Sequence, residues 1–111
     1  MGERIVFVKS KKFALRIVKL YRYLCDDKKE FVLSKQLLRS GTSIGANLAE
    51  ASRKEFIAKS QIALKECAET RYWLELLHDS GLISEKEFKS IYKDCVELLK
   101  ILIAAVKKLK I

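Results

Sequence analysis

Proline is absent from this chain of 111 residues, and glycine occurs only four times. A sandwich or barrel of short strands needs more turn punctuation than that, so the composition favours long helices. Histidine occurs once, at His78. One histidine near a helix end supports neither a Ser-His-Asp nor a Cys-His nucleophilic set. The cysteines are Cys25, Cys67 and Cys95. They form no CxxC or Cys/His cluster, which excludes a zinc ribbon or finger. Each reads as a small apolar core residue in a different helix, with a reactive thiol as the alternative. No apolar run approaches the ~18 residues of a membrane span. The start has neither the long apolar region of a secretory signal nor the Ser or Thr that a myristoylated Gly2 would need at position 6. A cytoplasmic protein is therefore expected, with no membrane partner.

Positive charge is what the chain has in excess, at a formal +9. Residues 1–39 carry 11 basic and 4 acidic side chains, residues 40–99 carry 8 and 10, and residues 100–111 carry 4 and none. The excess thus sits at the two ends. Lys9, Lys12, Arg16 and Lys19 step by three, four and three, and are expected to form one narrow exposed stripe. Lys107, Lys108 and Lys110 cluster near the C-terminus. The two groups are expected at opposite ends of the molecule. Such a field attracts an anionic partner, although basic charge also serves solubility.

Apolar spacing divides residues 1–111, read as one domain, into four helices. The first covers about residues 9–26, with Phe13, Ile17, Leu20, Tyr21 and Leu24 on one face. Ile5-Val6-Phe7-Val8 either extends it or forms a short arm. The second covers about 33–53. Its seam is Leu37, Gly41, Ile44, Leu48 and Ala51. Gly41, Gly45 and Ala49 form a small ridge, which predicts close approach of a neighbouring helix; a break around Ser40-Gly41-Thr42-Ser43 is the alternative. The third runs from Ser52 or Arg53 to Asp79, with Gly81 suited to the position past its end. Two stripes on it are apolar, one through Ala63, Cys67, Thr70, Leu74 and Leu77, the other through Ile62, Glu66, Glu69, Trp73 and Leu76. The fourth starts at Ser84, where Ser84 and Glu87 have capping-box spacing and Ile83 can staple on Phe88, and reaches almost to Ile111. Short loops predict an all-α, antiparallel up-down-up-down four-helix bundle. The apolar positions exceed the needs of one small bundle, so self-association is expected.

Candidate chemistry is sparse. Glu75 and His78 make one Glu-x-x-His unit, but a diiron site needs two, and His78 reads as a solvated residue at a helix end. Gly41-Thr42-Ser43-Ile44-Gly45 lacks the ending of a phosphate loop. Glu66 and Glu69 lie one turn apart, and Glu50, Arg39 and Asn47 can approach them from the second helix. A buried structural pairing network is the favoured reading, with a cation or catalytic site as the alternative. No catalytic residue, metal or cofactor is assigned.

The segment Gln36-Leu37-Leu38-Arg39-Ser40-Gly41-Thr42-Ser43-Ile44-Gly45-Ala46-Asn47-Leu48-Ala49-Glu50-Ala51 resembles a signature of the four helix bundle protein family, also called the 23S ribosomal RNA intervening sequence protein or S23 family. The run from Phe56 to Leu77 resembles its second signature. Ser60-Gln61, where a hydrophobic residue is expected, and Cys67, where alanine or glycine is usual, depart from it. The resemblance implies an elongated four-helix bundle with no enzymatic activity, often in rings of five. It also implies structural roles for Arg39, Ser43, Asn47, Glu50, Glu66 and Glu69. The fold is more distantly similar to the accessory variability protein of diversity-generating retroelements, a basic pentamer that binds a reverse transcriptase and nucleic acid. Two functions follow as expectations. One is a non-enzymatic oligomeric scaffold, most simply a homopentamer, that binds nucleic acid, RNA or DNA with low sequence specificity, or a ribonucleoprotein through its basic surfaces. The other is a protein-interaction adaptor whose basic stripe meets an acidic protein.

Overall fold

The computed structural model describes residues 2–108, and for Gly2, Glu3 and Lys108 the backbone alone. These residues form four helices and no strand: α1 (Gly2–Asp26), α2 (Leu33–Glu50), α3 (Phe56–Asp79) and α4 (Glu85–Lys108). They occupy an envelope of 45 × 21 × 19 Å. The apolar run at residues 5–8 is helical and extends α1, with Val6 buried among the core residues. The core is a column of aliphatic side chains from all four helices, including Ile17, Leu37, Leu74 and Leu102, each fully buried.

Each helix packs on its neighbours in the chain, and α1 also meets α4. Contacts run in reversed order along every pair. Ile17 meets Gly41 and Ser10 meets Gly45. Cys67 faces Cys95 while His78 meets Glu85. α1 approaches α2 closely. A Cβ on Gly41 would lie 2.8 Å from two carbons of Ile17, and one on Gly45 would lie 3.2 Å from Ser10 Oγ. The small ridge is therefore what lets α1 approach, and α2 is continuous through it.

The helix ends follow from local chemistry. The Glu30 carboxylate accepts the N–H groups of Val32, Leu33 and Ser34 at 3.1, 2.9 and 2.7 Å, satisfying the start of α2. Burial pushes this carboxyl up, but the N–H groups of Leu33, Ser34 and Val32 outweigh it and hold Glu30 below its ordinary range. α2 ends at Glu50, three residues before the expected end, and α3 begins at Phe56 rather than near Ser52. The cause is a capping pair. Ser52 N–H donates to Glu55 Oε1 and Glu55 N–H donates to Ser52 Oγ, which turns the chain between the helices. Gly81, at φ 80°, closes α3. Leu82 N–H reaches Leu77 O and Gly81 N–H reaches His78 O, the paired bonds of a Schellman end. Glu87 N–H donates to Ser84 Oγ at the start of α4.

Candidate functional site

The seam between α1 and α4 differs from the other three. These two helices pack less extensively than any other neighbouring pair. Ion pairs span the seam: Lys9 Nζ to Glu97 at 2.6 Å, Arg16 to Asp94 at 2.8 Å and Arg16 to Glu87 at 3.7 Å. Arg16 also donates to Ser90 Oγ at 3.0 Å. Beneath lie two hollows. One, of about 280 Å³, is lined in part by Lys9, Lys12, Phe13, Asp94 and Leu98. The other, of about 400 Å³, is lined by Lys19, Leu20, Tyr23, Ile83, Ser84 and Glu87.

This geometry corrects two expectations about the basic stripe. Lys9, Lys12, Arg16 and Lys19 do share a flank of α1, but that flank faces α4. Glu87, Ser90, Asp94 and Glu97 step by three, four and three in the opposite direction. With Lys9 opposite Glu97 and Arg16 opposite Ser90, Lys12 falls opposite Asp94 and Lys19 opposite Glu87. Lys9 and Arg16 are thus engaged within the chain. The second correction concerns the C-terminal lysines. Pairing of Lys9 with Glu97 sets the end of α4 beside the start of α1, not at the other end. Lys107 is exposed there. Lys108 is described by its backbone only, and Lys110 lies outside the described residues.

The outward side of α1 is a different surface. Arg4, Lys11 and Arg22 are exposed on it, Lys12 and Lys19 are exposed at its edge toward α4, and the ion pairs of α1 among the described residues are those of Lys9 and Arg16. No acidic residue occurs between Arg4 and Cys25. Val8 and Leu15 are 42% and 59% exposed within this basic field. Sequence spacing alone finds the stripe but not its orientation, because the partner stripe on α4 must be read in reverse.

The network drawn around Arg39 forms only in part, and at the rim rather than in the interior. Arg39 donates to Glu66 at 3.1 Å and also to Glu69, yet its side chain is 52% exposed. It stands on the side of α2 away from Leu37, Gly41 and Ile44, so it reaches the carboxylates over the edge. Trp73 Nε1–H and then Arg39 hold Glu69 below its ordinary range, against a smaller opposing effect of burial. Glu50 does not join this group and pairs instead with Lys59 at 3.0 Å. Asn47 donates to the Ser43 carbonyl, a bond within α2. The buried link between α2 and α3 is one that spacing missed: Thr70 Oγ1 donates to Ser40 Oγ at 2.9 Å. Ser60 Oγ is buried with no hydrogen-bond partner.

His78 is also not simply solvated. Its ring stacks on Phe88 at 4.1 Å and its Nε2 lies 2.7 Å from Glu85, tying α3 to α4. Tyr92 donates to Glu75 nearby, and this bond with the carboxylate raises the phenol above its ordinary range. Cys67 and Cys95 are fully buried, each Sγ directed at the other's carbonyl oxygen. Their mutual contact and burial hold Cys67 far above the ordinary thiol range, disfavouring the reactive thiolate.

Among the described residues, no group of three or more His, Cys, Asp and Glu side chains is placed to hold a metal ion. No described helix is long and apolar enough to cross a membrane. The described residues therefore define an all-helical protein with capped helix ends, ion pairs across its seams and a free basic surface. More particularly, the chain belongs to the 23S rRNA-intervening sequence protein family, whose model matches residues 3–104. It is similar to a protein of unknown function of the S23 ribosomal protein family from Bacteroides thetaiotaomicron. The two are 51% identical with a TM-score of 0.90, over 96% of this chain and 99% of that one. No curated protein matches the chain significantly.

Proposed function

We propose that this chain is a non-enzymatic, cytoplasmic scaffold that assembles with itself and holds a nucleic acid on α1 with little sequence preference. The observation that carries the reading is the acid-free stretch from Arg4 to Cys25, with its outward basic side chains exposed. Phosphates reward such a field through counterion release, whatever the base sequence. The reversed contacts along each helix pair support an antiparallel up-down-up-down bundle of one domain. Self-association is supported by Ile62 and Tyr72, which are 44% and 56% exposed on α3. The number five rests on family resemblance, and a ring would multiply weak phosphate contacts.

A second reading is an adaptor for an acidic protein, favoured by Val8 and Leu15, which a phosphate backbone does not bury. Fluorescence anisotropy with labelled RNA and DNA oligonucleotides tests the first reading. Charge reversal in the Lys11→Glu, Lys12→Glu, Arg22→Glu variant is expected to weaken binding to every sequence alike while circular dichroism stays unchanged. Undiminished binding by the folded variant would remove α1 as the contact surface. Light scattering tests the assembly: a persistent monomer of 12.8 kDa at micromolar concentration would end it.

A further inference from the structure

We infer that the contact face for nucleic acid extends onto α4, along a line of four lysines: Lys86, Lys93, Lys100 and Lys107. This inference rests on the nucleic-acid reading of α1 and enlarges its site. The four residues recur every seventh position, so they fall nearly in line on one side of the helix, about 10 Å apart and about 32 Å from first to last. All four are exposed. The ion pair made by an α4 lysine among the described residues is that of Lys89 with Glu85 at 3.9 Å, off this line. Of the acidic side chains of α4, Glu97 lies one turn from Lys93 and from Lys100 at the edge of this line, and its carboxylate is engaged by Lys9. Glu87, Asp94 and Glu97 turn toward α1 and meet Lys9 and Arg16, while Glu85 turns toward His78.

The same pairs join the two basic surfaces. α1 and α4 lie side by side, and each carboxylate of the seam between them has a cation of α1 within 4 Å, with Lys12 and Lys19 beside them. Its carboxylates are therefore already matched by Lys9 and Arg16 rather than opposed to an incoming phosphate. On either side stands a basic ridge, with Arg4, Lys11 and Arg22 on α1 and the four lysines on α4. A regular line of point charges, with Ile103 the large apolar side chain exposed beside it, suits a polyphosphate backbone, for which Lys acts as a charge rather than a fork. It suits an amphipathic protein helix poorly, because such a helix needs an apolar groove between the charges.

The test uses the full chain and a fluorescein-labelled oligoribonucleotide, followed by anisotropy across about 50–200 mM salt. Three variants are compared with wild type: the four α4 lysines reversed to Glu, the α1 variant named above, and a control reversing Lys28, Lys35, Lys54 and Lys65. Circular dichroism confirms that each is folded. The α4 variant is expected to bind at least ~10-fold more weakly than the control at the low-salt end. The slope of log affinity against log salt should flatten by roughly 0.7 for each phosphate the variant fails to neutralise. If it behaves as the control while the α1 variant loses binding, the extension to α4 is wrong and the α1 reading stands. If the α4 variant alone loses binding, the α4 surface stands and the α1 reading fails. No binding by wild type at low salt overturns both, and capture of an acidic peptide in place of RNA would do the same.

Discussion

α1 is held on its two sides in opposite ways. Toward α2, its backbone comes close because Gly41 and Gly45 offer no side chain, and Ile17 and Ser10 fill the space. Toward α4, hollows of about 280 and 400 Å³ lie under partly exposed ion pairs. Close packing is position-specific and indifferent to salt, because it depends on volume. Exposed ion pairs are weak and screened. One helix therefore has a steric side that fixes its place and an electrostatic side that adjusts to solution conditions. The free positive charge of Arg4, Lys11 and Arg22 lies on neither of these sides but on the outward face between them.

The largest expected effects lie on the close side. Ile17→Ala is expected to cost about 2–5 kcal/mol through the cavity it leaves. Gly41→Ala is expected to cost about 1–3 kcal/mol, because the new methyl meets a buried branched side chain, partly offset by better helix propensity. The double variant should cost less than the sum of the two, since the added methyl enters the vacated volume. Denaturant melts of the four proteins check this. Strict additivity would mean that Gly41 is not the point of close approach.

Next is the cap at the start of α2. Glu30→Gln is expected to cost about 0.5–2 kcal/mol at neutral pH. The folded-state pKa of Glu30 is lowered, so its contribution is present above the ordinary carboxylate value of 4.5 and is lost as pH falls through the folded value. The stability gap between wild type and Glu30→Gln should therefore shrink on acidification. A gap that stays constant down to strongly acid pH would show that the charge of Glu30 does not hold the cap.

The smallest effects lie on the electrostatic side and at the rim. Neutralising Glu87, Asp94 and Glu97 to Gln, Asn and Gln should cost about 0–1 kcal/mol per pair at low salt and less at high salt. Arg39→Ala should cost under about 1 kcal/mol, since its guanidinium is half exposed. Denaturant melts at low and high salt check both. A loss of several kcal/mol in either case would mean that these pairs are desolvated in an assembly of chains.

Much of the fold was legible in the sequence. Four periodic stripes, Gly81 past the end of α3 and Ser84 before α4 give the helices, and the Gly41–Gly45 ridge gives the close α1–α2 approach. The turn between α2 and α3 was also written there, in the Ser52–Glu55 spacing, but apolar residues on both sides concealed it. The side-chain environment was less legible. The stripe of Lys9, Lys12, Arg16 and Lys19 gives no sign that it faces another helix until Glu87, Ser90, Asp94 and Glu97 are read backwards against it. Arg39 lay close in sequence to interior residues, yet helical rotation carries it to the outer edge. Glu30 escaped notice because it caps from a loop, where no periodicity marks it.

The decisive measurement is the salt dependence of RNA binding by the wild-type chain. With four or more phosphates contacted, affinity should fall at least ~50-fold between about 50 and 200 mM salt, with similar curves for unrelated sequences. Binding that is absent at the low-salt end, or that persists unchanged across this range, would contradict a role for the free basic surface in holding nucleic acid.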